Sequence, residues 1–217
     1  MLKKGEPVIR FFITGTDTNV GKTLVSALLC AALDAIYWKP IQTGTREGTD
    51  RATIMHLAGL ARGRTIPEAY RFAPPVSPHL AARRAGVRIE LKKIRLPRIV
   101  PRENLIVEGA GGALVPINAT ELMTHLMKHL RLPVLLVSRT SLGTINHTLL
   151  SVAALRAARL DLRGVVTSGA PNAENRRAIE HYGDVPVVGS IPLLKKISRA
   201  ALLDIFQDSF DRRVFAR

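Results

Sequence analysis

The chain is predicted to fold as a single α/β domain over residues 1–217, with a mostly parallel sheet flanked by helices on both faces. Apolar, β-branched runs recur along the chain, segments with helical spacing separate them, and a glycine-bounded loop follows the first run. Continuously apolar strands that alternate with helices indicate parallel pairing with both sheet faces covered. No repeat, low-complexity tract or linker divides the sequence.

The strand candidates are short apolar runs in which every side chain can be buried. They are residues 8–13, 35–38, 105–107, 134–137, 164–167 and 185–188. The helix candidates have apolar residues at helical spacing or recognisable start signals. They are residues 22–33, 51–60, 78–85, 122–130, 145–158, 174–181 and 199–210. Before the third helix, Ser77 and Pro78 indicate an N-cap followed by proline at the first helical position, and Gly86 marks its end.

Composition restricts the class of protein. Lys and Arg number 32 against 17 Asp and Glu, a net charge of +15 that attracts nucleic acids, acidic membranes or nucleotide phosphates. The basic residues are densest between positions 83 and 102, where no aromatic side chains are interleaved for stacking on bases. We therefore interpret that stretch as a solvated connection and expect no nucleic-acid partner. Cys30 has no second cysteine to pair with and no apolar run is long enough for a membrane span, which favours a cytoplasmic protein.

The loop between the first strand and the first helix reads Gly-Thr-Asp-Thr-Asn-Val-Gly-Lys-Thr, from Gly15 to Thr23. Five residues separate its glycines where four are usual, but the Gly-Lys-Thr end is intact. In such a loop the backbone N–H groups and the helix N-terminus face bound phosphates. Lys22 would reach the outer phosphates and the Thr23 hydroxyl would bind Mg²⁺. The fold is thus predicted to resemble the P-loop nucleotide hydrolases, with phosphoryl chemistry as its function.

Further candidates follow the later strands, because ligands of an open parallel sheet bind beyond the carboxyl ends of its strands. Glu108 ends an apolar strand, and we favour a metal ion as its partner over a helix N-cap or a salt bridge to arginine. Asp50 is either the N-cap of the next helix or a second Mg²⁺ ligand, and the spacing leaves both open. Lys39 either supplies charge to the phosphate site or is a surface lysine with a buried stem. His125 and His129 are one helical turn apart but have no further ligand nearby in sequence, so we expect no zinc there.

Five segments occur together in an order that resembles the dethiobiotin synthetases, the ATP-dependent carboxylases of biotin biosynthesis. They are residues 15–23, 38–44, 77–79, 107–112 and 143–148, and the resemblance extends from about residue 8 to about residue 194. It implies that 7,8-diaminononanoate reacts with CO₂ or bicarbonate to give a carbamate. The carbamate attacks the γ-phosphate of ATP, and the second amine then closes a cyclic urea with release of phosphate.

The resemblance also implies a role for individual residues of this chain. Lys39 and Lys22 are the catalytic lysines, and Mg²⁺ is bound by Thr23, Asp50 and Glu108. The substrate is bound by Thr18, Lys39, Thr43, Gly143, Thr144 and Asn146. The last three act across a homodimer, so that the substrate site lies at the subunit interface. The nucleotide is bound by Asn19, Val20, Gly21, Lys22, Thr23, Leu24, Asp50, Glu108, Gly109, Ala110, Gly111, Ser168, Gly169, Pro192, Leu193 and Leu194.

The sequence departs from the family pattern in three places. Asn19 stands where an acidic residue is common, and Ser168 and Gly169 stand where asparagine and aspartate often read adenine. A serine hydroxyl cannot reproduce the paired donor and acceptor of an amide, so we expect CTP or GTP to serve beside ATP. Segments 24–38 and 87–104 are short, which predicts a truncated second strand and a basic connection in place of a helix.

Two alternatives share the loop. A ParA-like DNA-partitioning or regulatory ATPase would use the basic surface, but it would not need the turn around Lys39 and Thr43. A related amidase or ligase acting on a large cofactor precursor would need a glutamine-hydrolysing partner, for which Cys30 is in the wrong context.

Overall fold

The computed structural model describes residues 8–96 and 103–215. The strands are β1 (Arg10–Gly15), β2 (Ile36–Trp38), β3 (Ile41–Gln42), β4 (Thr65–Ile66), β5 (Tyr70–Arg71), β6 (Leu105–Gly112), β7 (Val134–Arg139), β8 (Leu162–Ser168) and β9 (Val187–Ile191). The helices are α1 (Lys22–Ala32), α2 (Asp50–Ala58), α3 (Pro78–Arg84), α4 (Met123–Leu130), α5 (Thr144–Ala157), α6 (Ala173–Gly183) and α7 (Arg199–Ser209).

Seven strands form one sheet in the order β4-β2-β6-β1-β7-β8-β9, and each neighbouring pair is parallel. The first strand of the chain lies at the centre, where Phe12 is opposite Val107 on β6 and Val134 on β7. The strands that follow β1 in the chain, β2, β4 and β6, lie on one side of it, and β7, β8 and β9 lie on the other side. That reversal places a crevice at the carboxyl end of β1, which is where an open parallel sheet binds its ligands.

Helices cover both faces of the sheet, and each face has its own buried layer. Phe12 belongs to the layer that includes residues of α3, α4, α5 and α6, whereas Ile13 belongs to the layer that includes residues of α1, α2 and α7. Neighbouring residues of a strand point to opposite faces, so an uninterrupted apolar run is needed to fill both layers. The predicted α/β class with a parallel sheet and helices on both faces is confirmed.

The elements predicted from the sequence are all present, with ends that differ by a few residues, and β2 is short as expected. The structure adds β4 and a small parallel sheet of β3 and β5. Gly44 N donates to Pro74 O at 3.0 Å just beyond that small sheet. These contacts bring the segment that contains Thr43 beside residues 74–76, and together they form one wall of the crevice.

Two local expectations are refined. Ser77 precedes α3, but its hydroxyl lies 3.0 Å from His79 Nδ1 and caps no helix N–H group. In the basic stretch, residues 87–96 contain only a three-residue 3-10 helix, Leu91–Lys93, and Arg98 and Arg102 lie outside the described residues.

Among the helices of the described residues, none has both the length and the apolar character needed to cross a membrane.

Candidate active site

The carboxyl ends of β1, β2 and β6 open into a cleft of about 920 Å³. Most of the residues predicted from the phosphate loop and the later strand ends line it together. They are Thr18, Asn19, Gly21, Lys22, Thr23, Leu24, Lys39, Thr43, Asp50, Glu108, Ala110 and Gly111. The parallel sheet therefore gathers side chains from positions far apart in the sequence, as the strand-end argument predicts.

The phosphate loop turns into α1 at Gly21, whose φ of 99° lies in the left-handed region that favours glycine. Lys22 begins the helix, and its Nζ donates to the Asp17 carbonyl oxygen at 2.7 Å. Burial, followed by the nearby charge of Lys39, lowers the pKa of Lys22 to about 8, although Glu108 and Asp50 act in the opposite direction. Lys22 is thus a cation at neutral pH whose charge is poorly compensated by the protein alone.

Lys39 is the centre of a buried ion cluster. Its Nζ lies 2.6 Å from Asp50 Oδ2 and 3.0 Å from Glu108 Oε1. Only 6% of Lys39 and 1% of Glu108 is exposed, so the interpretation of Lys39 as a surface lysine is wrong. The salt bridge from Glu108 to an arginine is wrong as well, because its cationic partner is Lys39. Burial would lower the pKa of Lys39, but the charges of Glu108 and Asp50 outweigh burial and raise it.

Thr23 lies against the same two carboxylates. Its Oγ1 is 3.0 Å from Asp50 Oδ1 and 3.1 Å from Glu108 Oε1. The N-cap interpretation of Asp50 is wrong, because Thr49 caps α2 by accepting from Ala52 N, and Asp50 is the first helical residue. Asp50 is therefore free to turn its carboxylate toward Lys39, whose charge and hydrogen bond lower the pKa of Asp50 against the effect of burial.

Sequence reasoning missed two residues that support this cluster. The Tyr37 hydroxyl donates to Glu108 Oε2 at 3.1 Å. Gln42 Oε1 accepts from Asp50 N at 3.2 Å, and its Nε2 donates to the Thr43 carbonyl oxygen at 2.7 Å. Tyr37 stands two residues before Lys39, so strand alternation was a signal that both side chains face the same side.

The residues predicted near the nucleotide base lie beside the cleft and do not line it. Ser168 ends β8 against the phosphate loop, where a Cβ added to Gly21 would be 2.7 Å from Ser168 Oγ. Gly169 N donates to Ile191 O at 3.0 Å, which brings Pro192 to the same edge of the sheet. Leu193 is exposed and Leu194 packs against the core layer of α1. Val20 and Gly109 are buried, so their contribution to a nucleotide site is limited to their backbone.

Gly143, Thr144 and Asn146 lie at the start of α5 and do not line the cleft of this one chain. Gly143 and Asn146 are exposed, as are the nearby apolar side chains of Leu142 and Leu150. Leu150 also lines a smaller groove of about 340 Å³ that includes Asp17 of the phosphate loop. An apolar surface therefore begins at the outer side of the loop.

Comparisons with solved structures show the fold alone. A ParA family ATPase from Chlorobium tepidum TLS superposes with a TM-score of 0.58 at 12% identity, covering 95% of this chain and 96% of that chain. The septum site-determining protein MinD from Pyrococcus horikoshii OT3 superposes with a TM-score of 0.54 at 15% identity, covering 91% and 86%. Identities this low leave the function open, so the two matches confirm only the α/β fold.

Sequence comparisons are far more specific. Residues 10–201 match a family described as an AAA domain. The ATP-dependent dethiobiotin synthetase BioD of Nitrobacter hamburgensis is 47% identical over 201 residues, which are 93% of this chain and 94% of that protein. The protein of the same name from Paramagnetospirillum magneticum is 48% identical over 199 residues, 92% of this chain and 95% of that one. The chain belongs to the ATP-dependent dethiobiotin synthetase family.

Proposed function

We propose that this chain converts 7,8-diaminononanoate, CO₂ and ATP into dethiobiotin, ADP and phosphate. One amine of the substrate adds CO₂ and loses a proton to give a carbamate. A carbamate oxygen attacks the γ-phosphorus of ATP, the bond to the ADP oxygen breaks, and a carbamic–phosphoric anhydride forms. The second amine attacks the carbamoyl carbon, phosphate leaves, and the five-membered cyclic urea closes.

The observation that carries this proposal is the buried ammonium of Lys39 at the edge of the cleft that also holds Lys22. The phosphoryl step brings a carbamate anion toward phosphate anions. Fixed cations in a site shielded from water offset this repulsion far more strongly than they would in water. Lys22 would contact the outer phosphates, and Lys39 would stabilise the carbamate and the transferring phosphoryl group.

A Mg²⁺ ion fits the residues that meet at this point. The Thr23 hydroxyl lies within 3.1 Å of both the Asp50 and the Glu108 carboxylate, and together they offer a purely oxygen donor set of the kind that Mg²⁺ prefers. When bound, the ion would neutralise charge on the nucleotide phosphates. The backbone of residues 19–24, Gly109, Ala110 and Gly111 would hold the phosphates in register with Lys22.

In a homodimer, each substrate molecule would be bound by residues of both subunits. Thr18 and Thr43 line the cleft and present hydroxyls to the diamine and its carbamate. Gly143, Thr144 and Asn146 would bind the substrate carboxylate of the facing subunit, since the N-terminus of α5 offers N–H groups to an anion. The exposed Leu142 and Leu150 would be covered by the partner.

The base would lie near Ser168, Gly169, Pro192, Leu193 and Leu194. Because Ser168 offers one hydroxyl where an amide would offer both a donor and an acceptor, CTP or GTP would support turnover beside ATP. The whole chain would act as one catalytic domain in the cytoplasm, with neither a membrane nor a nucleic acid as a partner. The excess of basic side chains attracts the phosphates of the nucleotide.

The test is to incubate the protein with ATP, Mg²⁺, ¹³C-bicarbonate and the diamine, and to analyse the products by mass spectrometry. The proposal requires a cyclic urea that carries one ¹³C atom and appears together with ADP. Reactions without the diamine serve as the control and should release little ADP. ATP hydrolysis that DNA stimulates and the diamine does not change would instead support the ParA-like alternative.

A further inference from the structure

A tyrosine side chain lies behind the candidate metal site, on the side away from the cleft. Tyr37 is the middle residue of β2 and is paired with Ile106 of β6. Its side chain is fully buried in the core layer beneath α1, among apolar neighbours such as Leu28 and Ile13. The hydroxyl reaches along the sheet to Glu108 Oε2, 3.1 Å away.

The two oxygens of Glu108 have different partners. Oε1 faces Thr23 and Lys39, the groups on the cleft side. Oε2 is held from behind by the Tyr37 hydroxyl. Partial rotation of the carboxylate about its Cγ–Cδ bond would lengthen the hydrogen bond from Tyr37, so this bond favours the carboxylate plane in which Oε1 is directed at Thr23 and Lys39. An ionised carboxylate can only accept hydrogen bonds, so the Tyr37 hydroxyl is the donor in this contact.

Packing alone does not account for the hydroxyl. A phenylalanine ring would fill the same space, and a buried hydroxyl is unfavourable in an apolar layer unless it has a hydrogen-bond partner. Glu108 supplies that partner, and it is one of the three proposed Mg²⁺ ligands. Groups that orient a metal ligand from behind typically change metal affinity by about 10- to 100-fold when they are removed.

We propose that Tyr37 is a positioning residue for the metal site, which acts through Glu108 and contacts neither the nucleotide nor the substrate. The inference rests on the proposed function, because it takes Glu108 as a Mg²⁺ ligand. Tyr37 lies on β2 and Glu108 on β6, so the proposed metal site would depend on a residue from a neighbouring strand, two positions before Lys39.

The experiment measures nucleotide binding, so that no turnover is needed. ATP affinity is determined by isothermal titration calorimetry at a series of free Mg²⁺ concentrations and in EDTA, without the diamine. Tyr37→Phe is compared with the parent and with Tyr70→Phe, which also loses a tyrosine hydrogen bond, the one from Glu90 N. For Tyr37→Phe, we expect that the Mg²⁺ concentration at which ATP affinity is half-way to its maximum rises by about tenfold or more. Its ATP affinity in EDTA and its thermal unfolding midpoint should be close to those of Tyr70→Phe.

A second comparison separates orientation from packing. In a Glu108→Gln background, Tyr37→Phe should change the Mg²⁺ requirement by less than about twofold, because the two residues act as one unit. The inference would be overturned if Tyr37→Phe left the Mg²⁺ requirement unchanged. It would also be overturned if the variant lost as much ATP affinity in EDTA as it does with Mg²⁺. A parent protein whose ATP affinity does not respond to Mg²⁺ would instead refute the metal assignment in the proposed function, and the inference with it.

Discussion

The Lys39 ammonium nitrogen lies 2.6 Å from Asp50 Oδ2, so the first residue of α2 holds the cation that follows β2. The same nitrogen lies 3.0 Å from Glu108 Oε1. Lys39, the proposed catalytic lysine, and the proposed Mg²⁺ ligands Asp50 and Glu108 are therefore one electrostatic unit. A change to any member of this unit should affect the others.

Replacing Lys39 by alanine should abolish dethiobiotin formation and also destabilise the protein when Mg²⁺ is absent. The buried carboxylate of Glu108 and the partly exposed carboxylate of Asp50 would lose their cation, and breaking a buried ion pair such as Lys39–Glu108 costs about 3–5 kcal/mol. Thermal unfolding in EDTA should show a lower midpoint than the parent, and Mg²⁺ should restore part of the loss. Lys128→Ala, at an exposed position of α4, is the control and should behave as the parent in both assays. Near-normal product formation by Lys39→Ala would remove its assigned role.

Replacing Asp50 by asparagine should weaken the metal site and leave the phosphate loop intact. The amide lacks the charge that faces Lys39 and Thr23, so the Mg²⁺ concentration for half-maximal turnover should rise by about tenfold or more. Steady-state rates at fixed ATP and varied Mg²⁺ measure this effect. Asp208→Asn, on the exposed side of α7, should leave the Mg²⁺ requirement unchanged. Equal Mg²⁺ requirements for the two variants would argue that Asp50 is only an ion-pair partner.

Nucleotide selectivity should depend on Ser168. The parent should turn over with GTP or CTP at measurable rates, and Ser168→Asn should shift the preference toward ATP by roughly three- to tenfold through one added hydrogen bond. The ratio of kcat/KM values for ATP and CTP is the measurement. Ser209→Asn, at the exposed end of α7, is the control. Strict ATP dependence of the parent would show that other groups read the base.

Nucleotide affinity should fall as the pH rises above about 8, where Lys22 loses its proton. Because burial lowers this pKa from its usual 10.5, the unfolded chain holds the proton more tightly than the folded protein between those two pH values. The contribution of Lys22 to stability therefore increases with pH in that window, while phosphate binding, which needs the ammonium, weakens. Calorimetric titration of ADP in EDTA, in buffers of different ionisation enthalpy, should reveal proton uptake on binding. Affinity that is independent of pH across this window would contradict the assignment.

The surface around Leu150 should be a subunit interface. Leu150→Glu would place a charge in an apolar contact, which should give a monomer in sedimentation analysis and lower turnover by impairing substrate binding. Tyr182→Glu alters another exposed apolar side chain, on α6, and should leave the assembly unchanged. A parent protein that sediments as a monomer would exclude the shared substrate site.

The main sheet was predictable because its strands are continuous apolar runs and its helices carry periodic stripes. The two-residue strands β3, β4 and β5 were not, since runs so short have no period and depend on tertiary pairing. Lys39 and Glu108 became candidates through their positions after strands, whereas spacing alone left Asp50 open between an N-cap and a metal ligand. The boundary at α2 was not predictable, because Thr49 and Asp50 are both good N-cap residues. In the structure Thr49 is the N-cap of α2, and the Asp50 carboxylate contacts Lys39.

The supporting residues of the site were beyond local reasoning. Tyr37 and Glu108 are 71 positions apart, and their hydrogen bond exists only because β2 and β6 pair in one register. Gln42 holds Asp50 and Thr43 through a turn whose shape is set by the small sheet. The partners of these two side chains lie on other elements, so the contacts become visible only when the strands are in place.

If a carbamate oxygen attacks the terminal phosphorus beside Lys39, that oxygen must leave with the released phosphate. A rapid single turnover with ¹⁸O-labelled CO₂, ATP, Mg²⁺ and the diamine in unlabelled water should release phosphate that carries one ¹⁸O atom. The amount of ¹⁸O-labelled phosphate should equal the amount of cyclic urea formed in the same turnover. Phosphate that draws its new oxygen from the solvent, while the urea still forms, would contradict the account.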